Sequence, residues 1–277
     1  MKNTVIILLL VLFTNIQAFA AKPKIVTSIT PIASIVAMLT ENHADIVVID
    51  SAAGCPHHYH MRPSDKEKII DSQMLILIDD HFDSFAAKLA KKYDGVVIKL
   101  SDVKTINFLD ENGEYNWHFW LDLENVLAMH EYLATILINH FPELERAILV
   151  NKQSAKADIA SLMQLKQNDL KSIHELVVLS DSFEHFLTNI KSPVVKLYQK
   201  SNTSLKELDN LENILNSKTK QCIVIDSLQN PDPYKKFGKK IIQMESENWV
   251  IAESASNNHL LFYSQYLKMI NQLKNCK

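Results

Sequence analysis

Only four glycines occur in the 277 residues. Neither G-x-G-x-x-G nor G-x-x-x-x-G-K is present, so the chain offers no glycine-rich cradle for phosphate, and nucleotide binding has no support. Basic tracts are missing too. Lysine and arginine total 29 against 32 acidic residues, a formal net charge of -3, and the lysines are spread along the chain, which argues against a nucleic-acid partner. His130-Glu131 and His174-Glu175 lack the second histidine of H-E-x-x-H, and no G-x-S-x-G elbow exists, so no enzyme is expected. Beyond the N-terminus no run of 18 apolar residues offers a membrane span. A disorder composition is also absent: 47% of residues are apolar and 22% charged, which is ordinary globular material.

The chain opens with Lys2, an apolar run from Val5 to Phe13 and then Ala18-Phe19-Ala20. This pattern predicts a secretory signal peptide over residues 1–20, with the mature chain starting at Ala21 in the bacterial periplasm. No cysteine lies near the cleavage point, so no lipid anchor is expected. The three cysteines are Cys55, Cys222 and Cys276. In an oxidising compartment the last two are expected to pair, closing a loop worth about 4 kcal/mol in the chain-entropy account. Cys55 is then left over, either as a thiolate ligand or as a small apolar residue.

The most informative stretch is GCPHHYHMRPSD, Gly54 to Asp65. His57, His58 and His60 sit within four positions, after a predicted strand and before a predicted helix. Neutral imidazole is the commonest protein ligand for zinc and its neighbours, although such a loop can also be merely solvated. Pro63 disfavours helix at Arg62, and Ser64 with Glu67 predicts a capping box. A second histidine, His118, stands between Trp117 and Trp120 in NWHFWLDLENV. A histidine bracketed by aromatics is either plain core or a ligand. Asp122 is placed to cap the following helix, so both segments precede a helix start.

Strand and helix patterns alternate from Lys24 to Leu100 and again from Glu175 to Asn275. Between them, Pro142 to about Lys171 has helical spacing without glycine or a further proline. The expected architecture is α/β: an N-terminal lobe over 21–140, a connecting long helix over 141–172, and a C-terminal lobe over 173–277, each lobe with a parallel sheet. Ligands of such sheets gather at the carboxyl ends of strands, where the loop from Gly54 emerges.

G-x-P-H-x-Y-x-x-R-P-S-D followed by H-x-W-L-D resembles the zinc and manganese solute-binding receptors of bacterial ABC importers, the TroA-like or ZnuA-like group, over essentially the whole mature chain. The resemblance implies a metal cleft between the lobes, with His57 and His118 as the first two ligands. The second lobe departs from the family pattern. Ser180, in SDSFEHF, stands where a ligand is expected, and Glu245, in MESEN, takes the place of the last ligand, an aspartate. Asp181, His185 and His60 are the possible replacements for the third ligand, and Glu247 is a weaker choice than Glu245 for the final position. Asp181 also reads as the cap of a helix from Ser182.

Two imidazoles and a carboxylate favour Zn2+, with Mn2+ as the alternative. The loop before His118 lacks the histidine-rich insert of many zinc members. An inner-membrane ABC permease is the implied partner, and a monomer is expected. The competing reading is a receptor-like protein whose degraded site leaves it a metallochaperone, adhesin or scaffold.

Overall fold

The computed structural model describes residues 21–50, 62–198, 205–217, 219–250 and 255–277. The first lobe runs β1 (Lys24–Ile29), α1 (Thr30–Thr40), β2 (Asp45–Asp50), α2 (Pro63–Ile70), β3 (Met74–Leu77), α3 (Ser84–Ala90) and β4 (Val96–Lys99). After a long connection come α4 (Leu123–His140) and the strut, α5 (Glu145–Asp169). The second lobe follows as β5 (Glu175–Val178), the single turn α6 (Glu184–Leu187), β6 (Val194–Lys196), α7 (Leu205–Leu215), β7 (Gln221–Asp226), β8 (Lys240–Met244) and the closing helix α8 (Leu261–Lys274).

All strand pairs are parallel, in the orders β2-β1-β3-β4 and β6-β5-β7-β8. The two orders are the same topology used twice. In each sheet the chain reverses its direction of travel between the inner strands, β1 and β3 or β5 and β7, which opens a crevice at their carboxyl ends. The inner strands β3 and β7 are buried along their whole length, as parallel strands covered on both faces must be. β2 is a sheet edge, and its Ile46 and Val47 are only partly covered.

One apolar core runs through both lobes. It joins Ile25 of β1 and Ile35 of α1 to Ile148, Ile159 and Leu162 on α5, and continues to Phe183, Trp249 and Tyr266. Smaller clusters cover the outer faces, around Leu75 and Ile69 in the first lobe and around Ile223 and Leu211 in the second. The strut is shorter than the sequence pattern suggests. Pro142–Leu144 forms a 3-10 turn, and the α-helix begins only at Glu145, giving a rod of 25 residues and about 37 Å.

Three local expectations are corrected. The cap of α2 is built by Asp65, whose Oδ2 accepts from the Arg62 backbone N–H at 2.9 Å, and not by Ser64 with Glu67. The helix expected from Ser182 is a 3-10 turn, Asp181–Phe183, followed by the one turn of α6. Its cap is Ser180, whose hydroxyl accepts from the Ser182 N–H at 3.3 Å, and not Asp181.

Cys222 in β7 is disulfide-bonded to Cys276, just beyond α8, with Cα atoms 5.9 Å apart. The expected leader over 1–20 and Cys55 lie outside the described residues. Among the described residues no helix is long and apolar enough to cross a membrane.

Candidate metal centre

A cavity of about 480 Å³ lies between the lobes, lined from one side by the connection before α4 and from the other by the loops after β5, β7 and β8. Among the described residues six carboxylates line it, those of Asp110, Glu114, Asp181, Glu184, Asp226 and Glu247, and no lysine or arginine does. Such a surface concentrates cations and repels anions. Lys196 stands beside the cavity and pairs at 2.8 Å with both Glu184 of its own lobe and Glu111 of the other.

His118 is delivered by a segment fixed at several points. Phe119, Trp120 and Leu121 are completely buried. The Trp120 indole donates to the Ser246 carbonyl at 3.0 Å, and the Tyr266 hydroxyl donates to the Leu121 carbonyl at 3.0 Å. Both bonds tie the His118 segment of the first lobe to the C-terminal part of the chain. Asp122 caps α4 as expected, accepting from the Glu124 N–H at 3.0 Å.

The imidazole of His118 faces Glu247, with Nε2 and Oε1 2.5 Å apart. Burial works against protonation of the ring. The hydrogen bond and charge of Glu247, with Asp181 and Asp226 behind them, outweigh burial and hold the His118 pKa above the usual histidine value. The other ring nitrogen, Nδ1, lies 3.1 Å from Oδ1 of Asn116.

Glu245 does not face His118. Its Oε1 accepts from the backbone N–H groups of Glu247 and Asn248 at 3.1 and 2.8 Å, and its Oε2 accepts from the Ser227 hydroxyl. Glu245 therefore folds the loop that aims Glu247 into the cavity. Asp181 and Ser180 line the cavity, and the Ser180 hydroxyl is 2.9 Å from that of Ser182.

His185 is buried at 3% exposure and lies outside the cavity lining. Its Nε2 donates to the Asn116 carbonyl at 3.2 Å, and burial lowers its pKa. His57, His58 and His60 fall in residues 51–61, outside the described residues. Among the described residues no three of His, Cys, Asp or Glu converge closely enough to hold a metal ion by themselves.

Sequence reasoning overlooked Asp226. It ends β7 at 6% exposure, accepts from Leu228 N–H and Ser246 hydroxyl, and has its pKa raised by burial. The signal for it is positional: an aspartate closing a buried apolar strand beside the point where strand order reverses.

Two lobes of repeated topology, one strut and an acidic cleft containing a histidine define a two-lobed binding protein for a cation. A family model described as "Zinc-uptake complex component A periplasmic", ZnuA, matches residues 25–275. The chain belongs to this family of periplasmic metal-binding receptors.

An uncharacterized protein of Rickettsia prowazekii (strain Madrid E) is 38% identical over 271 residues, covering 97% of this chain and 88% of that protein. The high-affinity zinc uptake system protein ZnuA of Haemophilus ducreyi is 25% identical over 188 residues, covering 57% of this chain and 59% of its own length. Among solved structures, the periplasmic zinc binding protein TroA from Treponema pallidum superimposes with a TM-score of 0.75 at 17% identity, covering 92% of this chain and 99% of that one. That likeness bears on the fold.

Proposed function

We propose that this protein captures a divalent transition-metal ion, Zn2+ in preference to Mn2+, in the cleft between its lobes and passes it to the permease of an ABC importer. The observation that carries the reading is the meeting of His118 and Glu247, one from each half of the chain, at the wall of a cleft lined by carboxylates. Zinc bonds imidazole nitrogen and carboxylate oxygen at about 2.0–2.2 Å. A tetrahedral ion between these atoms would hold them roughly 3.3 Å apart, so uptake requires the pair to open by less than 1 Å. The cation then takes the place of the proton that the pair shares.

In this proposal His57 supplies the second imidazole, and Glu247 takes the position that the sequence pattern assigned to Glu245. Asp181 is a further carboxylate at the cleft wall. Asp181 and His60 stay as lesser candidates, and His185 does not serve as a ligand. Two imidazoles and one or two carboxylates suit zinc, whereas manganese would want more oxygen donors. The cycle is binding and release without turnover, in the periplasm, after removal of residues 1–20, by a monomer.

Chelator competition on the purified, metal-stripped protein with Zn2+ and Mn2+ tests this. One equivalent of Zn2+ bound at nanomolar affinity or tighter is expected. Affinity no better than micromolar for both ions would sink the receptor reading. The metallochaperone, adhesin or scaffold reading would then lead, and the use of Ser180 as a cap is the observation that favours it.

A further inference from the structure

Asn116 makes contacts that the ligand set alone does not explain. Its Oδ1 accepts from the His118 backbone N–H at 3.0 Å and lies 3.1 Å from the His118 ring Nδ1. Its Nδ2 donates across the cleft to the Asp181 carbonyl at 2.9 Å, and its own carbonyl accepts from His185 of the same lobe as Asp181. A backbone N–H can only donate and a carbonyl can only accept, so these partners fix which end of the amide is oxygen. An amide oxygen beside Nδ1 requires that Nδ1 carry the hydrogen. Nε2 is then the nitrogen turned to Glu247, and its lone pair becomes available to a cation once the proton it shares with that carboxylate leaves.

We infer that Asn116 is a positioning residue that selects the tautomer of His118, and that its own orientation is set by the opposite lobe through Asp181. The inference rests on His118 being a metal ligand as proposed above. Orienting partners of this kind change metal affinity by about 10–100-fold when removed. His185 belongs to the same device. At 3% exposure its pKa is lowered by burial, and it spends its N–H on the carbonyl of Asn116.

Long-range proton–nitrogen NMR of the His118 ring tests the inference without metal. Glu247→Ala is used as the background, because the Glu247 carboxylate would itself draw the hydrogen to Nε2 and oppose Asn116. At a pH where the ring is neutral, that background should show the Nδ1–H tautomer, and adding Asn116→Ala should shift the ring toward Nε2–H. In the otherwise native chain Asn116→Ala should weaken Zn2+ binding about 10–100-fold.

Asn116→Asp keeps an acceptor beside Nδ1 and should retain the Nδ1–H tautomer, which decides the matter even if the alanine variant fails to fold. Retention of Nδ1–H in Asn116→Ala, or its loss in Asn116→Asp, would overturn the inference. If the native protein binds no metal, the proposed function fails, while the ring spectra still report on Asn116.

Discussion

Glu247 meets His118 from 129 positions further along the chain, and Glu245, two residues earlier, closes the turn that brings it there. The two glutamates therefore have separable effects. His118→Ala and Glu247→Ala should each weaken Zn2+ binding by 100-fold or more, since each removes a direct donor. Glu245→Gln retains one acceptor and should cost about tenfold or less. Chelator competition on the three variants reads this. An equal loss from Glu245→Gln would show that the aim of the loop matters as much as the donor it carries.

Ser180→His is expected to tighten Zn2+ binding by about tenfold or more, because Ser180 lines the cleft and an imidazole there adds a donor. The same change removes the cap on the turn at Ser182, at a cost of about 1 kcal/mol. The metal-free melting temperature should fall by about 2–4 °C. Unchanged affinity would mean that position 180 does not reach the ion.

Asp83, which does not line the cleft, gives a pH dependence of its own. It is completely buried, and its Oδ2 accepts from the N–H groups of Ile78 and Asp79 at 2.5 and 3.2 Å. Burial raises its pKa from 3.8 to about 7, against the opposing backbone bonds. The folded state thus holds the proton more tightly than the unfolded chain. Stability from this group is present below about pH 3.8 and is lost as pH rises through 7. Asp83→Asn keeps the Oδ acceptor and stays neutral. It should raise stability at pH 8 by about 1–3 kcal/mol and flatten the slope between pH 4 and 7 in denaturant titrations. An unchanged slope would rule Asp83 out as its source.

Opening the Cys222–Cys276 bond with a reductant, or replacing both cysteines by serine, should cost about 2–4 kcal/mol. The disulfide closes a separation of 54 residues between a buried central strand and the chain end. The variant should still bind Zn2+, because neither sulfur lines the cleft. Loss of binding in a folded variant would place the bond among the supports of the site.

Much of this architecture was legible beforehand because it is written in local patterns. Apolar strands such as Met74–Leu77 and Gln221–Asp226, and the helical spacing of Ile148, Ile159 and Leu162, announce two parallel sheets and a strut. Pairing across long distances was not legible. Nothing near Glu247 in the sequence shows that Glu245 spends one carboxylate oxygen on its own loop and the other on Ser227, so Glu245 reads as the better candidate.

His185 likewise reads as a ligand candidate until Asn116, 69 residues away, is seen to occupy its N–H. Asp181 looks like a cap because aspartate is a good one, but Ser180 reaches Ser182 first.

The same strand order appears in both halves of the molecule, with the cleft at the strand ends and the core behind them. Frame and specificity are consequently written in different parts of the chain. The sheets, the strut and their shared core can stay constant while the segments after β4, β5, β7 and β8 are rewritten, as Ser180, Asp226 and Glu247 illustrate. On the proposed function, a new cargo preference would therefore be a matter of loop editing, with each half offering its donors independently of the frame behind them.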